Sequence, residues 1–157
     1  MVKCESTARF SSLAVSVILT QTDTTVGFLS QDSDKLYEIK SRPTTKPFII
    51  VYKDFKNFLL NANRVPQNKK LLVRRSKKTT FIIKNRAFRV VDTKLNSQIL
   101  RDLSWNYSTS ANETQKKFDR VFCESKADII IEDKSGLNEN SSSSLVKINR
   151  LKRRRLR

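Results

Sequence analysis

Lys40 and Arg42 stand two positions apart in the stretch EIKSRP, residues 38–43. On a continuous helix that spacing points them in different directions. At a helix end running into an extended X-Pro segment, both can converge on one anion. Arginine brings a planar fork that matches phosphate oxygens, and lysine a compact point charge. A solvated helix end, where cations are favoured near the C-terminus, fits the same residues. Two further stretches carry donors of the same kind. QTDTT, residues 21–25, follows an apolar run. Hydroxyls and amides at the C-terminal end of a strand are where open α/β sheets bind ligands, although an ordinary Asx or Ser/Thr turn has the same composition. STSAN, residues 108–112, is five small, mostly polar residues between two amphipathic segments. Its amides and hydroxyls can hold a phosphate at a helix N-terminus, or Asn112 can serve only as an N-cap.

The composition narrows the chemistry. The chain has 157 residues, no histidine, and 32 Lys and Arg against 15 Asp and Glu, a formal charge of +17. Such a surplus repels itself and calls for a polyanionic partner: nucleic acid, nucleotide phosphates or an anionic membrane surface. Without histidine there is no Ser-His-Asp triad and no histidine metal site. Cys4 and Cys123 are the only cysteines, too few for a zinc cluster or a disulfide framework, and they fit a reducing cytoplasm. Gly27 and Gly136 are the only glycines, which excludes a Walker loop and a dinucleotide fingerprint. No apolar run reaches the roughly 18 residues of a spanning helix, and no secretion signal is evident, so a membrane partner is not expected.

The elements that must position these residues read as strands interleaved with helices. Residues 1–12 read as a loose lead-in, 13–150 as one α/β domain, and LKRRRLR (151–157) as a basic tail. Strands are expected at 15–19, 48–52, 71–73, 81–83, 88–91, 129–131 and 145–148, with Trp105–Tyr107 starting the strand that delivers STSAN. Helices are expected at 33–40, capped by Asp32 or Ser33, and at 54–62 with Phe55, Phe58 and Leu59 on one face. Two more are expected at 92–104, with Leu95, Ile99, Leu100 and Leu103 in register, and at 112–122, carrying Phe118, Val121 and Phe122. Residues 134–144 read as a polar loop. The FIIVY run at 48–52 suits a strand buried on both faces.

Taken together and in this order, QTDTTVGFL, KSRPTTKPFII and STSAN resemble the YrdC/YciO family of threonylcarbamoyl-AMP synthases. The family pattern is a strand, a PTxTxYGL-like loop, a helix, KxRP, an apolar strand and a later STSAN loop. The resemblance runs from about residue 17 to 110, with SSSSLVKI similar to the family's Ser/Thr-rich piece before a late strand. It implies a twisted mixed sheet with flanking helices around a basic concave cleft. It also implies a reaction: L-threonine, bicarbonate and ATP, with Mg²⁺, give threonylcarbamoyl-adenylate and pyrophosphate. Partner proteins then transfer the threonylcarbamoyl group to an adenosine of tRNA. Some members of the family are also described as binding double-stranded RNA.

Carried over by position, Lys40 and Arg42 would face the ATP phosphates with Lys46 close by, and Ser110 and Asn112 would complete a polar tetrad. Thr24 and Ser108 would line the threonine pocket. Thr80 and Lys84 match nucleotide- and threonine-contacting positions, Arg89 an arginine in a VRVP-like strand, and Ser143 and Ser144 the late Ser/Thr pair. The chemistry agrees, because adenylate formation is mostly positioning and charge neutralisation, which Lys, Arg, hydroxyls and Mg²⁺ supply without histidine. There are departures. RRSKKTT (74–80) replaces a WPGP-like loop, Val51 stands where many relatives carry histidine, and Glu113 and Thr114 follow STSAN in place of Ser-Gly. The competing expectation is a cleft-bearing tRNA- or double-stranded-RNA-binding protein with weak or no synthase activity, suggested by RRSKK and LKRRRLR. The tail also reads as a membrane-surface or ribosome-binding segment, as a solvated disordered end, or as the source of a late nucleotide-pocket arginine.

Overall fold

A computed structural model describes residues 13–61, 64–91, 103–113 and 116–157. Nine strands among them form one mixed sheet: β1 (Ile18–Gln21), β2 (Val26–Ser30), β3 (Ile49–Tyr52), β4 (Thr79–Ile83), β5 (Arg86–Val90), β6 (Trp105–Ser110), β7 (Ile129–Ile131), β8 (Ser144–Ile148) and β9 (Arg153–Arg155). Their order across the sheet is β7-β1-β2-β6-β3-β5-β4-β8-β9. The pairs β1/β7, β3/β5 and β4/β8 are parallel and the remaining neighbours antiparallel. Every residue of β1 and β2 is buried, which an apolar run such as VGFLS permits only in the middle of a covered sheet. This is the single mixed α/β domain expected. No helix of the described residues is long and apolar enough to cross a membrane.

Four short helices pack on this sheet: α1 (Ser33–Lys40), α2 (Phe55–Leu60), α3 (Lys70–Arg75) and α4 (Arg120–Lys126). Asp32 caps α1, its carboxylate accepting from Asp34 N and Lys35 N. The helix ends because Ser41 turns left-handed at φ 44°, which sends the Arg42 amide back to Tyr37 O and the chain into Pro43. Asp54 caps α2 in the same way. Phe58 of α2 is then stacked on Phe88 at 4.4 Å and edge-on to Tyr52 at 5.3 Å, the centre of one core cluster. Leu59, expected on that face, is 40% exposed. A second cluster gathers Val17, Leu19, Phe28, Leu36 and Cys123, and a third Ile18, Leu29, Val51 and Leu103.

Several expected elements are corrected. β1 begins at Ile18, and Val15 is 49% exposed ahead of it. Residues 71–73 are helix α3, not strand: Val73 is buried while Leu71 is 63% exposed, and three apolar residues carry too little periodicity to separate the two forms. The helix expected from residue 112 starts at Arg120, capped by Asp119, because Asn112 is otherwise engaged. In it Val121 is 79% exposed. The basic tail supplies β9, whose three residues pair with β8. Within the expected helix 92–104, residues 92–102 lie outside the described residues, as do 1–12.

Candidate functional site

The end of α1 meets the end of β6. Lys40, the last helical residue, is only 7% exposed, and its ammonium donates to Ser110 O at 3.2 Å, to Asn112 Oδ1 at 2.8 Å and to Asn112 O. Ser110 Oγ donates to the same Asn112 Oδ1 at 2.7 Å, and Asn112 Nδ2 to Lys116 O at 2.6 Å. An ammonium has three protons, so Lys40 is committed to the STSAN loop. Burial lowers its pKa from the usual 10.5 and the nearby Arg42 lowers it further, while Cys123 acts in the opposite sense. Asn112 therefore works as a cross-link to Lys40 and does not cap the following helix.

Arg42 lies just past the left-handed turn. Its guanidinium carbon sits 5.2 Å from the Phe48 ring centroid. Its Nε is buried and has no hydrogen-bond partner among the described residues. A buried guanidinium N–H without an acceptor is costly, and the Arg42 side chain that carries it lines a cavity of 340 Å³. Thr24, Ser108, Ser110 and Ser143 line the same cavity, so the structure assembles these with Arg42 as the motif order implied. The wall is close-fitting at Gly27. A Cβ there would come 2.9 Å from Thr109 O and 3.0 Å from Thr22 Cγ2.

Beneath the cavity lies a buried polar network. Arg89 Nη1 pairs with Asp23 Oδ1 at 2.6 Å and donates to Thr24 Oγ1 at 3.0 Å. Its Nε and Nη2 donate to Thr80 Oγ1, which is 2.9 Å from Ser143 Oγ. Thr80 is fully buried in this network and does not reach the cavity. The Thr22–Thr25 loop is a Ser/Thr turn as well as a cavity wall: Thr22 Oγ1 donates to Thr25 O and accepts from the amides of Thr24 and Thr25.

A larger cavity of 1070 Å³ adjoins at Thr22, rimmed by Arg74, Arg75, Lys77 and Lys78. These stand where the family pattern has a glycine-containing loop, and Asp23 and Glu139 line the same cavity. Val51 is a core residue, 5% exposed.

Three expected site residues fall elsewhere. Lys46 is exposed in the turn after Pro43 and lines neither cavity. Ser144 is a strand residue opposite Thr79, and its neighbour Ser143 faces the cavity in its place. Lys84 sits in the β4–β5 turn at the opposite end of the sheet. Two residues enter that the motifs did not single out. Asp23, inside QTDTT, neutralises Arg89. Arg157 lines the 340 Å³ cavity and donates from Nε to Ser143 O at 3.2 Å. Its only sequence signal was its charge, since it lies past β9 and outside any hydrophobic alternation.

Among the described residues no group of three His, Cys, Asp or Glu side chains could hold a metal ion.

The Sua5/YciO/YrdC family model, described as "Telomere recombination", matches residues 16–157. No curated protein sequence matches the chain. Among solved structures, Sua5 from P. abyssi complexed with L-threonine superposes with a TM-score of 0.73 at 16% identity, covering 99% of this chain and 55% of that one. YciO from E. coli gives 0.72 at 15% identity, covering 99% and 90%. HypF from T. kodakarensis gives 0.75 at 14% identity, covering 100% of this chain and 24% of that one. The chain thus spans about half the length of the Sua5 structure and nearly all of YciO.

Proposed function

The chain belongs to the Sua5/YciO/YrdC family, and from that premise we propose that it forms threonylcarbamoyl-AMP from L-threonine, bicarbonate and ATP. The observation that carries this reading is the Arg42 side chain lining one cavity with Ser108 and Ser110 of the Lys40-bound STSAN loop. The L-threonine held by the Sua5 relative supports the choice of amino acid.

In this reading the amino nitrogen of threonine attacks bicarbonate and water leaves, giving a carbamate. A carbamate oxygen then bonds to the α-phosphorus of ATP. The bond from that phosphorus to its bridging oxygen breaks, and pyrophosphate departs with the electron pair. Arg42 and Arg157 face the phosphates and neutralise the leaving charge. Fixed donors in a partly dry cavity do this without reorganising. Hydroxyls of Thr24, Ser108 and Ser110 orient the threonyl part. Lys40 is a positioning residue: with its protons on Ser110 and Asn112, it fixes the loop that faces Arg42. Mg²⁺ would enter on the phosphates and screen their charge. The product would pass to proteins that modify an adenosine of tRNA.

The test is pyrophosphate release from ATP by the purified protein. Release that requires both L-threonine and bicarbonate, and falls at least about 100-fold in Arg42→Gln, is the expected result, that being the scale of one lost transition-state donor. Release independent of either substrate, or unchanged in Arg42→Gln, overturns the reading.

A further inference from the structure

Lys84, expected at the threonine site, belongs to a different surface. The β4–β5 turn carries positive φ at Lys84 (47°) and Asn85 (64°), the signature of a tight hairpin turn. It projects from the sheet end opposite the cleft. Thr80 and Lys84 are four residues apart, about 13 Å along an extended strand at roughly 3.3 Å per residue.

A cavity of 700 Å³ opens at that end. Its floor is apolar, built by Phe58, Val65, Phe88 and Ile148. Its rim carries Arg64, Lys84, Arg86 and Arg150, and among the described residues no acidic one lines it. All four cations are exposed, and none makes an ion pair among the described residues. Ion pairs elsewhere do form: Arg120 holds both Glu124 and Glu132. The rim continues onto the edge of the sheet. Arg153 of β9 stands directly opposite Ile148, a floor residue, while Arg154 pairs with Lys147 and Arg155 with Val146. In an antiparallel pair, opposite residues share a face. Arg153 and Arg155 therefore extend the rim on the side of the floor, and Arg154 with Lys147 adds charge on the other side.

We propose that this surface binds single-stranded RNA, with the phosphate backbone running along the β9 edge and the four-cation rim, and one unpaired base entering the apolar cavity. A row of unneutralised cations along an edge matches a linear polyanion better than a single small anion. An apolar pocket of this size beside it has room for a heterocycle held by apolar contact, its floor being side chains that are themselves buried, with Phe58 1% and Phe88 5% exposed. The pocket lies away from the adenylate cavity, so the proposal stands or falls separately from the synthase reading.

The experiment measures binding of a fluorescein-labelled single-stranded RNA of about 12 nucleotides, within the span of one small domain, by anisotropy across a salt series. The fourfold variant Arg64→Gln/Lys84→Gln/Arg86→Gln/Arg150→Gln is compared with Arg74→Gln/Arg75→Gln/Lys77→Gln/Lys78→Gln, which removes equal charge at the opposite end. Each lost phosphate contact flattens the slope of log K against log salt by about 0.7. The first variant is expected to lose up to about 3 units of slope and the second to keep the wild-type slope. Duplex RNA of the same sequence and inorganic polyphosphate of matched charge should compete poorly. Equal loss of slope in both variants would mean diffuse charge and overturns the proposal. So does polyphosphate, or a vesicle of anionic lipid, that competes as well as the RNA. All eight positions are exposed, and unchanged thermal unfolding verifies that each variant is folded.

Discussion

The Lys40 ammonium lies 2.8 Å from Asn112 Oδ1, across 72 positions of sequence. It joins the end of α1 to the loop after β6 by a charge-assisted bond in a largely buried setting. The obvious contribution of such a lysine, a mobile cation for a phosphate, gives way here to a fixed strut. Lys40→Met keeps the stem and removes the donors: Asn112 Oδ1 retains Ser110 Oγ and Ser110 O retains the Asn112 amide, while Asn112 O loses its ammonium. It should lower stability by about 2 to 3 kcal/mol, the usual range for hydrogen bonds to a charged group. Ser110→Ala removes one neutral bond and should cost about 1 kcal/mol. Urea unfolding measures both, and equal stability of Lys40→Met and wild type would show that the strut carries no load. If Lys40 acts by position, its loss should raise KM for L-threonine as well as lower kcat, since the loop that orients the threonyl part loosens.

Arg89 and Asp23 form the buried ion pair under the cavity, at 8% and 6% side-chain exposure. Arg89→Met leaves the Asp23 carboxylate buried without its cation and should cost about 3 to 5 kcal/mol. Asp23→Asn with Arg89→Met removes both charges. The double variant should be more stable than Arg89→Met alone. A double-mutant cycle by chemical unfolding reads this coupling directly. Additive losses would mean that the two side chains do not support each other.

The three motif stretches show what the sequence made legible. EIKSRP was readable as a helix end before an X-Pro segment, and the structure has both that helix end and Arg42 turned towards a cavity. QTDTT was readable as a Ser/Thr turn or a ligand loop, and Thr22 is the turn while Thr24 lines the cavity. For Asn112 the local reading failed, because its partner is Lys40, and no local pattern encodes a contact over such a separation. The same limit hid the role of Asp23, which depends on Arg89 arriving from β5. Helix α3 was missed for a different reason. KLLVRR offers one buried position, Val73, and a single anchor has no period. Strand β9 has no buried residue at all, so only its pairing with β8 defines it.

Gly27 tests how tightly the cavity wall is built. In Gly27→Ala the new methyl meets a backbone oxygen, Thr109 O, at 2.9 Å, so β2 and β6 must move apart. Overpacking of this kind costs about 1 to 3 kcal/mol. The displaced strand carries Ser108 and Ser110, so L-threonine affinity should fall along with the melting temperature. A variant that melts like wild type would mean that β6 yields without strain.

Asp54 offers a pH test away from the cavity. Its carboxylate accepts from Asn57 N at 2.7 Å and from Asn57 Nδ2 at 2.9 Å, capping α2. Burial pushes the carboxyl pKa up, but the Asn57 bonds, with help from Lys53 and the Lys56 amide, more than reverse this and hold it below the usual 3.8. The sign follows from the direction. Below 3.8 the unfolded chain takes up a proton that the folded carboxylate resists, so stability falls as pH drops through the folded value. Above 3.8 the contribution is complete. Removing the cap in Asp54→Ala should cost about 1 kcal/mol at neutral pH. That difference should shrink towards zero as pH falls well below 3.8. A gap between wild type and Asp54→Ala that holds constant into strong acid would show that the cap owes nothing to ionisation, and that the hydrogen bonds to Asn57 survive protonation.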